Sequence, residues 1–384
     1  MFSNPFTPIF GGKPNVFFGR EKILQLFEHA MIDVGSDDRA IFITGTRGSG
    51  KTALLEQFSI KATDKKRKVI DLGPENTISQ LIYSLTGYDE ITKTIAPQAN
   101  VSVMGIGGGV SGGSVSKTEH VGRDSLQTLL LDACAHYKKG LLVTVDEIQK
   151  VPIEDISSLC NAFQMASRKG FDIMLAVAGL PYSYSKVIKH EGCTYLRRAT
   201  HEELGLFTWE ETANSFNRIF SDIKGLIVGQ NIIERLNEAS FGHPYIMQLL
   251  GYHLILNINE HDSGKQHRIT DEETQAAITN ARFAYEQRAL KPLLDELPES
   301  EKTYLTKMSE CLDTERLADS SEIARRLGCT VGKLSKQRGN LIDHGIIASP
   351  ERGKVMFCIP YLADYVRQEE NTPEPIKVAR QRRV

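Results

Sequence analysis

Apolar positions follow two regimes along this chain, and the change between them sets the expected architecture. In the first half, short unbroken apolar runs alternate with longer segments of helical period. "RAIFITG" (39–45) closes on Gly45 and leads into "KTALLEQFSIKAT"; "KVIDLG" (68–73) leads into "TISQLIYSLTG". "SLQTLLLDACAHYKKG" is an amphipathic helix ahead of the run "LLVTVDE" (141–147), and helical "EDISSLCNAFQMASRKG" precedes "DIMLAVAG" (172–179). "THEELGLFTWEE" supplies a last edge strand. Runs apolar on both faces, separated by helices, predict a parallel sheet covered on both sides, hence an α/β fold.

From Phe207 to about Leu294 the period is helical throughout: "WEETANSFNRIF", "NIIERLNEAS", "HPYIMQLLGYHLILNI" and "TDEETQAAITNARFAYEQRA". "TDEE" (Thr270–Glu273) has the capping-box spacing. Beyond Pro292 and Pro298 the segment 317–367 reads as a winged helix-turn-helix. "SSEIARRLG" is a short capped helix ending in Gly328, and "TVGKLSKQRGNLIDHG" a second helix ending in Gly345. "IIAS", the turn "PERGK" and "VMFCI" make the wing. Leu334, Leu341 and Ile342 fit a buried stripe on the second helix, which turns Lys333, Lys336, Gln337 and Arg338 outward and puts Arg352 and Lys354 at the wing tip. The expected domains are an α/β core over 1–207, a helical domain over 208–296, a winged helix over 297–369 and a disordered basic tail over 370–384. One Gly-, Ser- and Val-rich insertion, 97–121, interrupts the core; it fits a surface loop or a glycine-kinked hairpin.

Composition narrows the function classes. The 384 residues are 41% hydrophobic and 24% charged with a formal net charge of -2. That is a globular profile without polyelectrolyte character, so any nucleic-acid contact must come from a local patch. Six cysteines with no C-x-x-C pair point to thiols in a reducing cytoplasm. No signal peptide and no apolar run of the ~20 residues that span a bilayer are present, so a cytoplasmic protein is expected.

Two motifs carry chemistry. "GTRGSGKT" places Gly45, Thr46, Arg47, Gly48, Ser49, Gly50, Lys51 and Thr52 in the full G-x-x-x-x-G-K-[ST] pattern, after a buried strand and at a helix start. The glycines let successive backbone N–H groups face phosphate oxygens, and the helix N-terminus favours an anion. Lys51 would reach the β- and γ-phosphates of ATP, and the Thr52 hydroxyl would bind Mg²⁺. "LLVTVDEIQ" (141–149) sets Asp146 at the carboxyl end of a second buried strand, where it would hold Mg²⁺, and Glu147 beside it would polarise the attacking water. The bland alternatives, a chance Gly-rich turn and two solvated acids, do not account for both motifs in this order. "THEEL" looks like a zinc-protease box but lacks its second His.

With these motifs, the upstream "FFGREKIL" and the helical region behind the core, the sequence resembles AAA+ ATPases. Its nearest likeness is to the origin-recognition initiators, the transposition helper ATPases and the STAND and archaeal ATPases. The resemblance implies a strand order of 5-1-4-3-2 and puts Gly19 and Arg20 near the adenine. It implies an arginine finger at Arg197 or Arg198 for a neighbouring subunit, and a lid-helix contact to nucleotide from His243 and Pro244 in "FGHPYIMQLLGYH". In one respect the chain departs from that family: where a polar sensor residue ends the fourth strand, it has Ala178, Gly179 and Leu180, with Ser183 a loop substitute. That departure favours a slow switch over a motor.

These readings combine into an ATP- and Mg²⁺-dependent switch in which nucleotide draws lid and winged helix against the core and hydrolysis releases them. Duplex DNA is the expected partner through the winged helix and the basic tail, within a homo-oligomer or with a partner protein. Two alternatives stand beside it: a STAND-like scaffold acting on a protein, and a nucleotide-dependent assembly factor with negligible turnover.

Overall fold

The computed structural model describes residues 1–9, 15–17, 19–86, 116–261 and 266–371. The chain divides into two compact units, Thr7–Leu206 and, together, Met1–Phe6 with Phe207–Val384.

In the first unit five parallel strands run β1 Ala40–Gly45, β2 Lys68–Leu72, β3 Leu141–Val145, β4 Ile173–Gly179 and β5 Thr200–Leu204. Their spatial order is β2-β3-β4-β1-β5, which is the expected 5-1-4-3-2 read from the other edge. Every residue of β1, β3 and β4 is buried, so the unbroken apolar runs are the three central strands. β5 alternates with one buried residue, as an edge strand does. Helices α1 (Glu21–Ile32) and α2 (Lys51–Asp64) belong to one apolar cluster built on Phe27, Phe58, Ile41 and Ile43. Helices α3 (Thr77–Thr86), α4 (Ser116–His136) and α5 (Ile153–Arg168) supply the other, with Leu81, Leu130 and Phe163 packed on Phe42 and Val143. Of the expected insertion, 97–115 lies outside the described residues, while 116–121 is the first part of α4.

The second unit is helical at its start. It has α6 Trp209–Ser221, α7 Gln230–Ser240, α8 Pro244–His261 and α9 Asp271–Tyr285. The Thr270–Glu273 capping box forms, and a second one, Thr208 with Glu211, starts α6. Met1–Phe6 packs within this unit rather than with the sheet. Asn259 holds the Phe2 backbone at both its N–H (2.6 Å) and C=O (2.9 Å), and Phe6 is buried on Phe220. Gly242 has φ +67, and a Cβ there would stand 2.1 Å from the Phe207 carbonyl oxygen. Gly242→Ala therefore meets both a left-handed backbone and a rigid neighbour. It is expected to cost about 2–4 kcal/mol of this unit's stability by denaturant unfolding; a loss within about 0.5 kcal/mol would show that the turn yields.

The same unit continues through α10 (Glu299–Glu310), β6 (Leu317–Asp319), α11 (Ser320–Arg326), a 3₁₀ turn at Val331–Leu334, α12 (Ser335–Asp343), β7 (Ile347–Ala348), β8 (Lys354–Phe357) and α13 (Leu362–Asn371). The three strands form an antiparallel sheet with β8 between β6 and β7. Of the expected stripe on the second helix only Leu341 is fully buried; Leu334 and Ile342 are half-buried. The 3₁₀ turn shifts the phase of the helix that follows, which explains the difference. Tyr361 joins this part to α7 and α9: its hydroxyl donates to the Ala239 carbonyl (2.6 Å), and the Arg282 guanidinium lies 5.0 Å above its ring. Residues 372–384, with the tail cations Lys377, Arg380, Arg382 and Arg383, lie outside the described residues.

Candidate functional site

The phosphate-loop residues bridge the end of β1 and the start of α2. Gly50 caps α2 with φ 95, a conformation that its missing Cβ permits where nothing else crowds it. Lys51 is buried, and its Nζ donates to the carbonyls of Gly45 (3.0 Å) and Thr46 (2.9 Å). Burial holds the Lys51 ammonium below the usual lysine range, an effect that Glu147 and Asp146 oppose and Arg47 adds to. The Ser49 hydroxyl is buried with no hydrogen-bond partner among the described residues. A buried cation and an unmatched hydroxyl in a glycine-lined loop at a helix N-terminus fit a bound anion.

Asp146 follows the last residue of β3, and its Oδ2 accepts from Thr52 Oγ1 at 2.6 Å. The expected metal pair is thus in contact. A hydroxyl and a carboxylate are hard oxygen donors suited to Mg²⁺, which takes its other ligands from water and phosphate. Among the described residues no group of three or more His, Cys, Asp or Glu could hold a metal by itself.

Glu147 sits in a left-handed backbone conformation (φ 52), with its N–H donating to Asp146 Oδ1 at 2.8 Å. Its carboxylate accepts from Gln149 Nε2 at 2.7 Å and faces Lys150 Nζ at 3.4 Å. Gln149, at the end of the quoted "DEIQ", was not singled out by the sequence reading. Its Oε1 accepts from the Leu180 N–H, 3.1 Å away at the end of β4. Ser183, the loop substitute considered for the sensor, is fully buried and its hydroxyl donates to the Leu180 carbonyl (2.6 Å). It lies in the helix Pro181–Lys189 and not in a loop, and its one proton is held by that carbonyl.

The remaining candidates are dispersed. Arg20 has φ 64 and its guanidinium donates to the Gly205 carbonyl, tying the start of α1 to the end of β5. Gly19 precedes it, also at positive φ. Arg197 is exposed but donates to the carbonyls of Ile188 (2.9 Å) and His190 (3.2 Å); Arg198 beside it is exposed. In the helical unit His243 is buried with its ring against Tyr285, and Pro244 opens α8. Lys333, Lys336 and Arg352 are exposed, whereas Gln337 and Arg338 are half-buried. Arg338 donates to Ser349 Oγ (2.6 Å) and Lys354 faces Asp313 (3.9 Å), so the outward set on helix and wing is smaller than expected.

Residues 287–366 match a family described as a domain of unknown function (DUF8462). No curated protein sequence matches the chain. The structure is similar to that of the ORC2 protein of Aeropyrum pernix, solved as ADPNP–ADP complexes, with TM-score 0.56 and 15% identity over 92% of this chain and 94% of that one. Cdc6p of Pyrobaculum aerophilum (TM-score 0.47, 14% identity, 91% and 94% covered) and Aeropyrum pernix ORC1 in complex with DNA (0.45, 14%, 93% and 94%) are more distant. The likeness to ORC2 is one of fold, a five-stranded parallel sheet flanked by helices and followed by a largely helical second unit. Among the described residues no helix is long and apolar enough to cross a membrane.

Proposed function

We propose that this protein binds and hydrolyses ATP as an AAA+ switch and acts on duplex DNA. The observation that carries the first part is the 2.6 Å contact between Thr52 and Asp146, with Glu147 next in the chain and Lys51 buried in the loop. Lys51 and the loop N–H groups would hold the β- and γ-phosphates. Thr52 and Asp146 would hold Mg²⁺, which when bound neutralises charge on the phosphate oxygens. Glu147 would take a proton from the water that attacks the γ-phosphorus, as the bond to the bridging oxygen breaks and ADP leaves. ADPNP and ADP in the ORC2 complexes support nucleotide as the ligand class.

For DNA, the support is local. The order helix, strand, two helices and hairpin over 299–357 supports a winged-helix reading, and Lys333 and Lys336 are exposed in its second helix region with Arg352 exposed on the hairpin turn. Cations placed this way suit backbone phosphates. Tyr361 ties this part to the lid, so in this reading the two respond to nucleotide as one body. The opposing observation is that Arg325 and Arg326 are paired to Glu322 and Glu310, which reduces the positive charge this part offers to DNA.

The test is duplex binding across a salt series by the wild type and by Lys333→Ala/Lys336→Ala/Arg352→Ala, alongside ATP turnover with and without duplex. Each phosphate contact contributes a slope of about 0.9 in log K against log salt, so losing three should flatten it by roughly 2.7. An unchanged slope removes this face from DNA binding, and no affinity even at low salt turns the reading to a protein partner.

A further inference from the structure

Gln149 touches both halves of the site that matter for water activation, and no motif accounts for it. Its side-chain amide runs between two elements: Nε2 donates to Glu147 Oε2 (2.7 Å), and Oε1 accepts from the Leu180 N–H (3.1 Å) at the end of β4. We infer that Gln149 is the positioning residue for Glu147, and that its amide stands in for the polar side chain missing at the end of β4. This inference rests on the ATPase reading above and specifies how that site is built.

The first support is steric. A Cβ at Gly179 would come within 2.8 Å of Gln149 Oε1, 2.8 Å of Ile148 Cγ2 and 2.5 Å of Ser183 Oγ. Any larger residue there would have to displace the Gln149 amide or its neighbours. The absent side chain at Gly179 and the presence of Gln149 are therefore two sides of one arrangement: the strand end gives up its side chain, and an amide arriving from the neighbouring strand's loop fills the space.

The second support is how firmly the amide is held. Ile148–Lys150 forms a 3₁₀ turn, closed by Lys150 N–H to the Glu147 carbonyl (2.8 Å) and anchored by buried Ile148. The Leu180 N–H fixes Oε1 as the acceptor, which leaves Nε2 as the donor facing Glu147. A donor aimed at one carboxylate oxygen orients the group and leaves the other oxygen for water. Lys150 also faces this carboxylate, but it lies at 3.4 Å with its side chain 62% exposed, so it is the weaker restraint. Glu147 itself is in a left-handed conformation, so its direction is set by contacts rather than by a regular helix or strand.

The experiment compares steady-state phosphate release and ADP binding for wild type, Gln149→Ala, Gln149→Glu, Glu147→Gln and the Gln149→Ala/Glu147→Gln double variant, with Mg²⁺ present. Gln149→Ala should lower kcat roughly 10- to 100-fold and leave ADP affinity unchanged, as expected for a group that orients a reacting residue. In the double variant the Ala change should cost nothing further, because there is no base left to orient. Gln149→Glu keeps an acceptor for the Leu180 N–H, and so keeps the fold even if the alanine variant loses it. It removes the donor to Glu147 and sets a second carboxylate against it, so kcat should fall at least as far as in Gln149→Ala. An unchanged kcat, or a loss that adds fully to that of Glu147→Gln, overturns the positioning role while the ATPase reading stands. A wild type that binds ADP but releases no phosphate takes both readings down together.

Discussion

Glu147→Gln should lower kcat for ATP hydrolysis by roughly two to four orders of magnitude, the range that a general base contributes, while nucleotide affinity stays within about twofold. The amide keeps the size of the carboxylate and still offers an oxygen to Gln149 Nε2 and to Lys150, so the local structure has no reason to change. What it loses is the ability to accept a proton. Thr52, Asp146 and Lys51, which would carry phosphate and metal, are not touched by the change. Phosphate release under saturating ATP and calorimetric titration with ADP separate the two quantities. A variant with wild-type turnover would remove Glu147 from the chemistry and shift attention to water held by other groups. A parallel loss of affinity would mean that the carboxylate supports the loop instead of the reaction.

Much of this site was legible because its determinants are local in sequence. Gly50, Lys51 and Thr52 sit within one turn of each other, and the strands before Gly45 and Asp146 are continuous apolar runs because β1 and β3 are buried on both faces. Sheet order was expected only through resemblance; the pattern of apolar runs shows that strands are central or peripheral but not which neighbours pair. The parts that escaped are contacts between residues far apart in the chain. Gln149 reaches a backbone N–H 31 positions away, and Asn259 pairs with Phe2 across 257 positions. Helical period marked Arg338 as outward and the hairpin turn put Lys354 at the wing tip, but neither pattern carries the fact that Ser349 and Asp313 stand beside them. Ser183 was a reasonable polar substitute by position, yet a hydroxyl at the start of a helix has a nearer carbonyl to serve, and Leu180 offers one.

The same blindness to distant partners hid the feature whose loss should damage the fold most. Asp172, just before β4, lies between two arginines that are 7% and 8% exposed, Arg39 and Arg67. It pairs with Arg39 Nη2 and, at 2.7 Å, with Arg67 Nη1. The other guanidinium donors are spent on backbone: Arg39 on the carbonyls of Ile173 (3.1 Å) and Ala30 (2.9 Å), Arg67 on that of Met31 (2.5 Å). One carboxylate is therefore shared by two buried cations, halving their uncompensated charge, and the three side chains tie α1 and the strand starts of β1, β2 and β4 together. Asp172→Ala leaves both charges buried, uncompensated and facing each other. Removing one partner of a buried pair costs about 3–5 kcal/mol, and here the loss should reach at least that range because a repulsion is added. Against the ~5–15 kcal/mol that typically holds a domain, this is a large fraction, and melting of the sheet unit should fall by roughly 10 °C or more. Denaturant unfolding followed by a probe in the sheet unit measures it. Adding Arg67→Met to Asp172→Ala should recover part of the loss by removing one stranded charge, whereas two independent sites would lose more. A cost below about 1 kcal/mol, the value of an exposed ion pair, would mean that water reaches both arginines and that the triad contributes little.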